Sequence, residues 1–280
     1  MSLPERNHNI DISVLLPVRA RPGPMEQCLR TLIDTSNRPN RIEVLIAFDD
    51  YDTDTIDYFV DIIAPYLDSK GVTYSAMQFK RLGYLRLNEY LNELAKHSTG
   101  HWIFFWNDDA VMTTHHWDDI IRQYNDRFAL LRAETNHGHP YAIFPILPRK
   151  WVEITGHISP HQINDAWTSQ IGWMLDIVVT IPVMIEHERF DLTGKNGDDV
   201  YKNRPMLEGD PRNPRDFNHL DWRKRRVQEA MLIGNYISGL GYDLTHFKLG
   251  IENKTNIWAK MLELDTKGLM KSWSVSELDN

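Results

Sequence analysis

Residues 101–109 read His101-Trp102-Ile103-Phe104-Phe105-Trp106-Asn107-Asp108-Asp109. The apolar run from Trp102 to Trp106 has the length of a strand buried on both faces, and it passes without a spacer into one amide and two carboxylates. Two further apolar runs lie upstream, the second of them also ending in acids. Residues 11–18, DISVLLPV, form a β-branched apolar run that ends in Arg19-Ala20-Arg21-Pro22-Gly23-Pro24, a stretch of turn residues. Residues 41–48, RIEVLIAF, end at Asp49-Asp50-Tyr51-Asp52. Between these strands lie segments of helical period. Met25, Cys28, Leu29, Leu32 and Ile33 mark one over 25–33, and others cover about 53–67 and 82–96. A third strand is predicted near 72–77. Strand alternating with helix specifies an α/β fold: a mostly parallel central sheet, flanked by helices, with ligands outside the carboxyl ends of its strands.

The second half is less regular. Helices are predicted over 114–131, 149–156, from Asp165 onward and over 220–240, with strands over 141–146 and 178–185. Residues 157–164 read as a loop, and 187–216 is rich in Gly, Pro, Asn and Asp. There is no internal repeat, and the final forty residues show no readable pattern. The basic run Arg223-Lys224-Arg225-Arg226 reads as a solvated helix face, with an anionic acceptor or membrane surface as the alternative. The nine tryptophans read mostly as core; Trp167 and Trp173 are the best candidates to stack on a ligand ring.

Bulk properties narrow the choices. The chain has 280 residues, 42% hydrophobic and 25% charged, as a folded globular protein does. Its net charge of −8 does not suit gripping a phosphate backbone, so no nucleic-acid partner is expected. No apolar run is long enough to span a bilayer, and the opening MSLPERNHN has no signal-peptide core. Cys28 is the only cysteine, which excludes an intramolecular disulfide and favours a cytoplasmic location. Cys28 itself reads as a small core residue. Neither GxGxxG nor GxxxxGK[ST] occurs.

In a parallel sheet, Asp49-Asp50 and Asn107-Asp108-Asp109 would share one edge. Adjacent carboxylates there repel each other unless a cation is near. Mg²⁺ or Mn²⁺ on a diphosphate would supply that charge through hard oxygen ligands. A turn or helix N-cap explains the same residues equally well.

Taken together, the order and spacing of these pieces resemble the family-2-like glycosyltransferases of the GT-A fold. Ile12-Ser13-Val14-Leu15-Leu16-Pro17-Val18-Arg19 resembles their first strand and loop. Val44-Leu45-Ile46-Ala47-Phe48-Asp49-Asp50 resembles the second strand with its nucleoside-contacting acid. Arg86-Leu87-Asn88 resembles an Arg-Asn pair of the donor site, and residues 102–109 resemble the strand and DxD-type motif, with Trp117-Asp118 following. The resemblance implies a metal-dependent, inverting transfer of a sugar from a nucleotide-diphospho-sugar, UDP-sugar favoured, to a glycan, lipid-linked or protein acceptor. It implies a GT-A domain over 1–215, with a nucleotide-sugar half to about 112 and an acceptor half beyond, and a C-terminal helical extension over 216–280 packed on it; a homodimer is among the expected assemblies. On the donor side, Pro17 and Arg19 would line the base pocket, Asp49 or Asp50 would accept from the base or ribose, and Arg86, Asn88, Asn107 and Asp108 would complete it. Asp109 would bind the metal. Asn107 departs from the motif, whose first position is an Asp.

His187 resembles a histidine that completes the metal site in some members, where Asp198-Asp199-Val200-Tyr201 also has a counterpart; a surface loop histidine is the bland alternative. Asp165 resembles the acceptor-side base of inverting enzymes, with an N-cap as the alternative and Asp191 or Asp198 as substitutes. Two rivals stand beside this reading. One is a sugar-phosphate nucleotidyltransferase, disfavoured by a proline-rich first loop. The other is a non-catalytic sugar-nucleotide or glycan-binding module, encouraged by Asn107.

Overall fold

The computed structural model describes residues 3–189, 193–194 and 212–242. Eight strands form one sheet in the order β3-β2-β1-β4-β7-β6-β8-β5. They are β1 Ile12–Val18, β2 Ile42–Asp49, β3 Thr73–Phe79, β4 Trp102–Phe105, β5 Ala110–Met112, β6 Leu130–Thr135, β7 Pro145–Pro148 and β8 Val178–His187. Strands β1 to β4 run parallel, as the alternation with helices requires. Beyond β4 the direction changes: β7 is antiparallel to β4 and β6, β6 is parallel to β8, and β5 is antiparallel to β8.

The strands alternate side chains between two cores. Ile12, Val14, Leu16 and Val18 of β1, with Trp102 and Phe104 of β4, face helix α1 (Pro22–Asp34). Leu15, Leu45, Ala47, Ile103 and Phe105 face the other layer, which holds α4 (Leu87–His97), α6 (Arg149–Thr155), α7 (Asn164–Met174) and α8 (Leu220–Gly239). Period-2 alternation between two apolar cores is why these strands read as continuous hydrophobic runs. Cys28 lies in the first core, fully enclosed, as read. Helices α2 (Thr53–Tyr58) and α3 (Ala64–Ser69) are joined by a π turn, Phe59–Ile63, next to Pro65, whose missing N–H frees the backbone to widen there.

The second half departs from its sequence reading. The helix expected over 114–131 is only α5 (Trp117–Arg122); Leu130–Thr135 is β6, because pairing with β7 and β8 overrides the helical period. The strand expected at 141–146 lies at Pro145–Pro148, and the three-residue β5 gave no signal of its own. Trp117-Asp118 is structural. Asp118 is fully buried, accepts from Asn37 N at 2.8 Å and Arg38 N at 2.9 Å, and pairs with Arg122 at 2.6 Å, tying α5 to the α1–β2 connection.

The basic run at the start of α8 is not a uniform solvated face, since Arg223 and Arg226 are buried. Arg226 donates to Phe217 O at 3.0 Å and lies 4.1 Å from the Phe217 ring centroid and 5.2 Å from that of Trp167. Burial pushes its guanidinium down to about 9. Trp167 is itself fully enclosed, its Nε1 donating to Glu229 at 2.9 Å, so it is no platform for a sugar; Trp173 is half-buried against Tyr141. Of the expected C-terminal extension, α8 packs on α6 and α7, and residues 243–280 lie outside the described residues. Among the described residues no helix is long and apolar enough to cross a membrane.

Gly100 holds the entry to β4 against β1. A methyl group there would lie 2.7 Å from Ser13 Oγ, 2.9 Å from Ser13 N and 3.0 Å from Ile12 C. Its N–H donates to Ser13 Oγ at 2.8 Å, inside a network that also satisfies the buried Glu43. Two of the three clashes are with backbone, so relief requires β1 to shift. Gly100→Ala is expected to cost about 3 kcal/mol, read as a lowered midpoint of thermal unfolding; an unchanged midpoint would show that the two strands yield freely.

Candidate functional site

The carboxyl ends of β1, β2 and β4 bring three loops to one edge. Val18 is in register with Phe48, and Trp106 N donates to Leu15 O at 3.0 Å, so residues 19–21, 49–52 and 106–109 are neighbours. The β1–α1 loop turns sharply at Ala20, whose φ of 51° lies in the left-handed region. That turn aims Ala20 N at Asp52 Oδ2, 2.5 Å away. Arg19 Nε donates to Tyr51 OH at 2.9 Å and lies 3.6 Å from Asp49 Oδ2, while Arg21 Nη1 lies 3.0 Å from Asp108 Oδ1.

Asp49 is the acid turned into the site. It is 2% exposed and accepts from Tyr90 OH and, at 3.1 Å, from Tyr51 OH. Burial and then this carboxylate push the Tyr90 phenol up to about 12, so Tyr90 stays a donor. Asp50 points to solvent, with its N–H on Phe79 O at 2.8 Å. Pro17, in register with Ala47 and partly exposed, lies on the same sheet face as Asp49.

Asn107 opens the turn that leads into β5, accepting from Ala110 N at 3.2 Å, a position that favours Asn. The turn reading therefore accounts for its backbone. Asp109 is different. Pairing of β5 with β8 sets Ala110 opposite His187, and Glu188 N donates to Asp109 O at 2.8 Å. The His187 ring packs on Phe144 at 4.9 Å, and His187 N donates to Asn136 Oδ1 at 3.0 Å. His187 Nε2 then lies 3.1 Å from Asp109 Oδ1, with both side chains nearly enclosed. The two atoms are close without being aligned as a hydrogen bond, and that carboxylate oxygen accepts none. A buried, unsatisfied oxygen beside an imidazole nitrogen suits a shared cation. No third His, Cys, Asp or Glu joins them among the described residues.

The other expected donor-side residues lie at the start of α4, whose Tyr90 donates to Asp49. Arg86 is exposed and pairs with Glu89. Asn88 is buried, its Nδ2 3.5 Å from Ser159 O. Asn92, which sequence reading missed, fastens the same loop more firmly: Nδ2 donates to Ser159 O at 2.8 Å, and Oδ1 accepts from Ile158 N at 2.8 Å. The Arg-Asn segment thus braces the 157–163 loop. Asp191 and Asp198-Asp199-Val200-Tyr201 lie outside the described residues.

That loop delivers Asp165. Asn164 is the first residue of α7 and Ile163 occupies the cap position, so Asp165 is not an N-cap. It is partly buried, and among the described residues its carboxylate has no hydrogen bond or ion pair. His161 shapes the loop: Nε2 lies 3.2 Å from Arg215 O, Nδ1 accepts from Ile163 N at 3.2 Å, and the ring packs on Phe217 and Trp222. Both ring nitrogens are satisfied only in the neutral, Nε2–H form. Burial, with Arg226 adding to it, pushes the imidazole down to about 4. The unfolded chain, near 6.5, therefore binds the proton first. Stability due to this group is complete above about pH 6.5 and is lost as pH falls toward 4. Denaturant melts at pH 7.5 and 5 should show the decline, and His161→Gln should flatten it.

Residues 13–134 match the family model described as Glycosyl transferase family 2. No curated protein matches the chain. Among solved structures, Staphylococcus aureus TarS 1–349 in complex with UDP-GlcNAc superposes with a TM-score of 0.55 at 11% identity, over 79% of this chain and 66% of that one. The Pyrobaculum calidifontis mannosyltransferase PcManGT in complex with GDP-Man and Mn²⁺ gives 0.53 at 14% identity, over 93% and 86%. The chain thus spans just under two thirds of the TarS chain with which it is aligned. At these identities the likeness is one of fold.

Proposed function

From the premise that this chain carries a family-2-like glycosyltransferase domain on a GT-A fold, we propose a specific reaction. The protein transfers a sugar, with inversion, from a nucleotide-diphospho-sugar to an acceptor hydroxyl, with UDP-sugar the favoured donor and Mn²⁺ or Mg²⁺ as cofactor. One observation carries the reading: Asp109 Oδ1 and His187 Nε2 lie side by side, enclosed and not hydrogen-bonded to each other, at the sheet edge that also holds Asp49. The structures with UDP-GlcNAc and with GDP-Man and Mn²⁺ support donor and metal by analogy.

Asp49, held by Tyr90 and Tyr51, accepts from the base or ribose, with Pro17 and Arg19 beside it. Asp109 and His187 hold the divalent cation, which when bound neutralises charge on the departing nucleoside diphosphate. Asp165 takes the proton of the acceptor hydroxyl as its oxygen attacks the anomeric carbon. Calorimetry with UDP, GDP and their sugar conjugates, in Mn²⁺ and then in EDTA, tests the reading. Tight binding of one nucleoside diphosphate that weakens in EDTA is expected; no binding of any nucleotide would overturn it.

A further inference from the structure

The β1–α1 loop does more than flank a base. Its consecutive residues Arg19, Ala20 and Arg21 reach Asp49 at 3.6 Å, Asp52 at 2.5 Å and Asp108 at 3.0 Å. Those acids come from the loops after β2 and β4, and neither 49–52 nor 106–109 contains a cation of its own. The left-handed backbone of Ala20 is what sends the two arginines to separate acids, and a residue with a Cβ adopts it at some cost. Arg21 is the one directed toward β4. Its guanidinium is about nine-tenths enclosed, as is Asp108, and Asp108 adjoins Asp109. The helix that starts at Pro22 has no acidic residue in its own first turn and no side-chain cap.

We propose that Arg21 is a catalytic residue that binds the diphosphate of the donor, exchanging Asp108 for phosphate oxygens when the donor enters. This rests on the reading of the edge as a donor site. The exchange is cheap because the guanidinium is already withdrawn from water and its planar fork fits phosphate as well as carboxylate. Asp108, released, accepts from hydroxyls of the ribose or donor sugar. In the transfer step the bond from the anomeric carbon to the diphosphate oxygen breaks, and its electron pair stays on the diphosphate beside Arg21. The acceptor oxygen forms the new bond, and its proton passes to Asp165. Arg21 therefore stabilises charge where it develops.

The test compares UDP with uridine, and GDP with guanosine, by calorimetry in EDTA, so that no divalent cation masks the side chain. Arg21→Ala is expected to weaken the diphosphate by about tenfold to a hundredfold and to leave the nucleoside within about twofold. Arg21→Lys should recover part of the loss. Should Arg21→Ala fail to fold because Asp108 loses this cation, the double variant Arg21→Ala, Asp108→Asn removes that charge and is measured instead. Equal weakening of diphosphate and nucleoside, or no weakening of either, overturns the role of Arg21 alone. A wild-type protein that binds none of the four, in EDTA or in Mn²⁺, overturns the donor-site reading, and this inference with it.

Discussion

Asp109→Ala is expected to abolish the Mn²⁺-dependent part of nucleoside diphosphate binding and to lower turnover by about a thousandfold or more. Among the described residues two side chains face the cation, and this substitution removes the charged one, leaving His187. A single neutral imidazole does not hold Mn²⁺ against water at micromolar concentrations. The fold should survive. Asp109 Oδ1 makes no hydrogen bond, so its removal deletes a buried, unsatisfied group rather than a support. An unchanged or raised unfolding midpoint together with lost metal binding would separate the site from the scaffold. Calorimetric titration with Mn²⁺ and a donor-hydrolysis assay read both halves. Full metal-dependent binding in the variant would remove Asp109 from the site.

Asp165→Asn should lower kcat by about a hundredfold to ten-thousandfold and leave the donor's KM nearly unchanged. The carboxylate sits in the first turn of α7 with no partner among the described residues, so it supports no visible structure there. Asparagine keeps its shape and removes its capacity to take a proton. A cap would behave in the opposite way, since asparagine caps as well as aspartate does and turnover would be untouched. The split between kcat and KM, together with an unfolding midpoint close to that of the wild type, distinguishes the two. A variant with full transfer activity would exclude Asp165 as the base.

The first half of the fold was legible because its signals are local. Val14-Leu15-Leu16 and Ile103-Phe104-Phe105 are buried on both faces, so each run of sequence already contains its burial, and the acids that follow stand at the strand ends. The second half was not, because its strands are short and mixed in direction. Leu130-Leu131 is apolar in a way that suits helix or strand, and only pairing with Val178-Val179 decides. The candidate site residues were placed by the same strand order: Asp49 ends β2, His187 ends β8, and Asp109 stands immediately before β5. Arg21 was visible as a cation in the first loop, but nothing in the residue order tells which of two arginines faces β4; the backbone turn at Ala20 does. Trp167 misled because its type suits a ligand, while burial and Glu229 had already engaged it.

Glu229 of α8 gathers three partners from separate parts of the chain: Trp167 Nε1 at 2.9 Å, Arg225 Nε at 3.0 Å and His157 Nε2 at 3.2 Å. Those contacts fix α7 and the loop before it, and hence Asp165, from a helix that supplies none of the proposed site residues. The consequence is genetic. A change at Glu229 strands an indole N–H in the interior, so it should persist in descendants only alongside a compensating change at Trp167 or His157. These positions are then inherited as a linked set, and a screen for lost activity should recover second-site suppressors between α7 and α8, far from the edge where the donor is read.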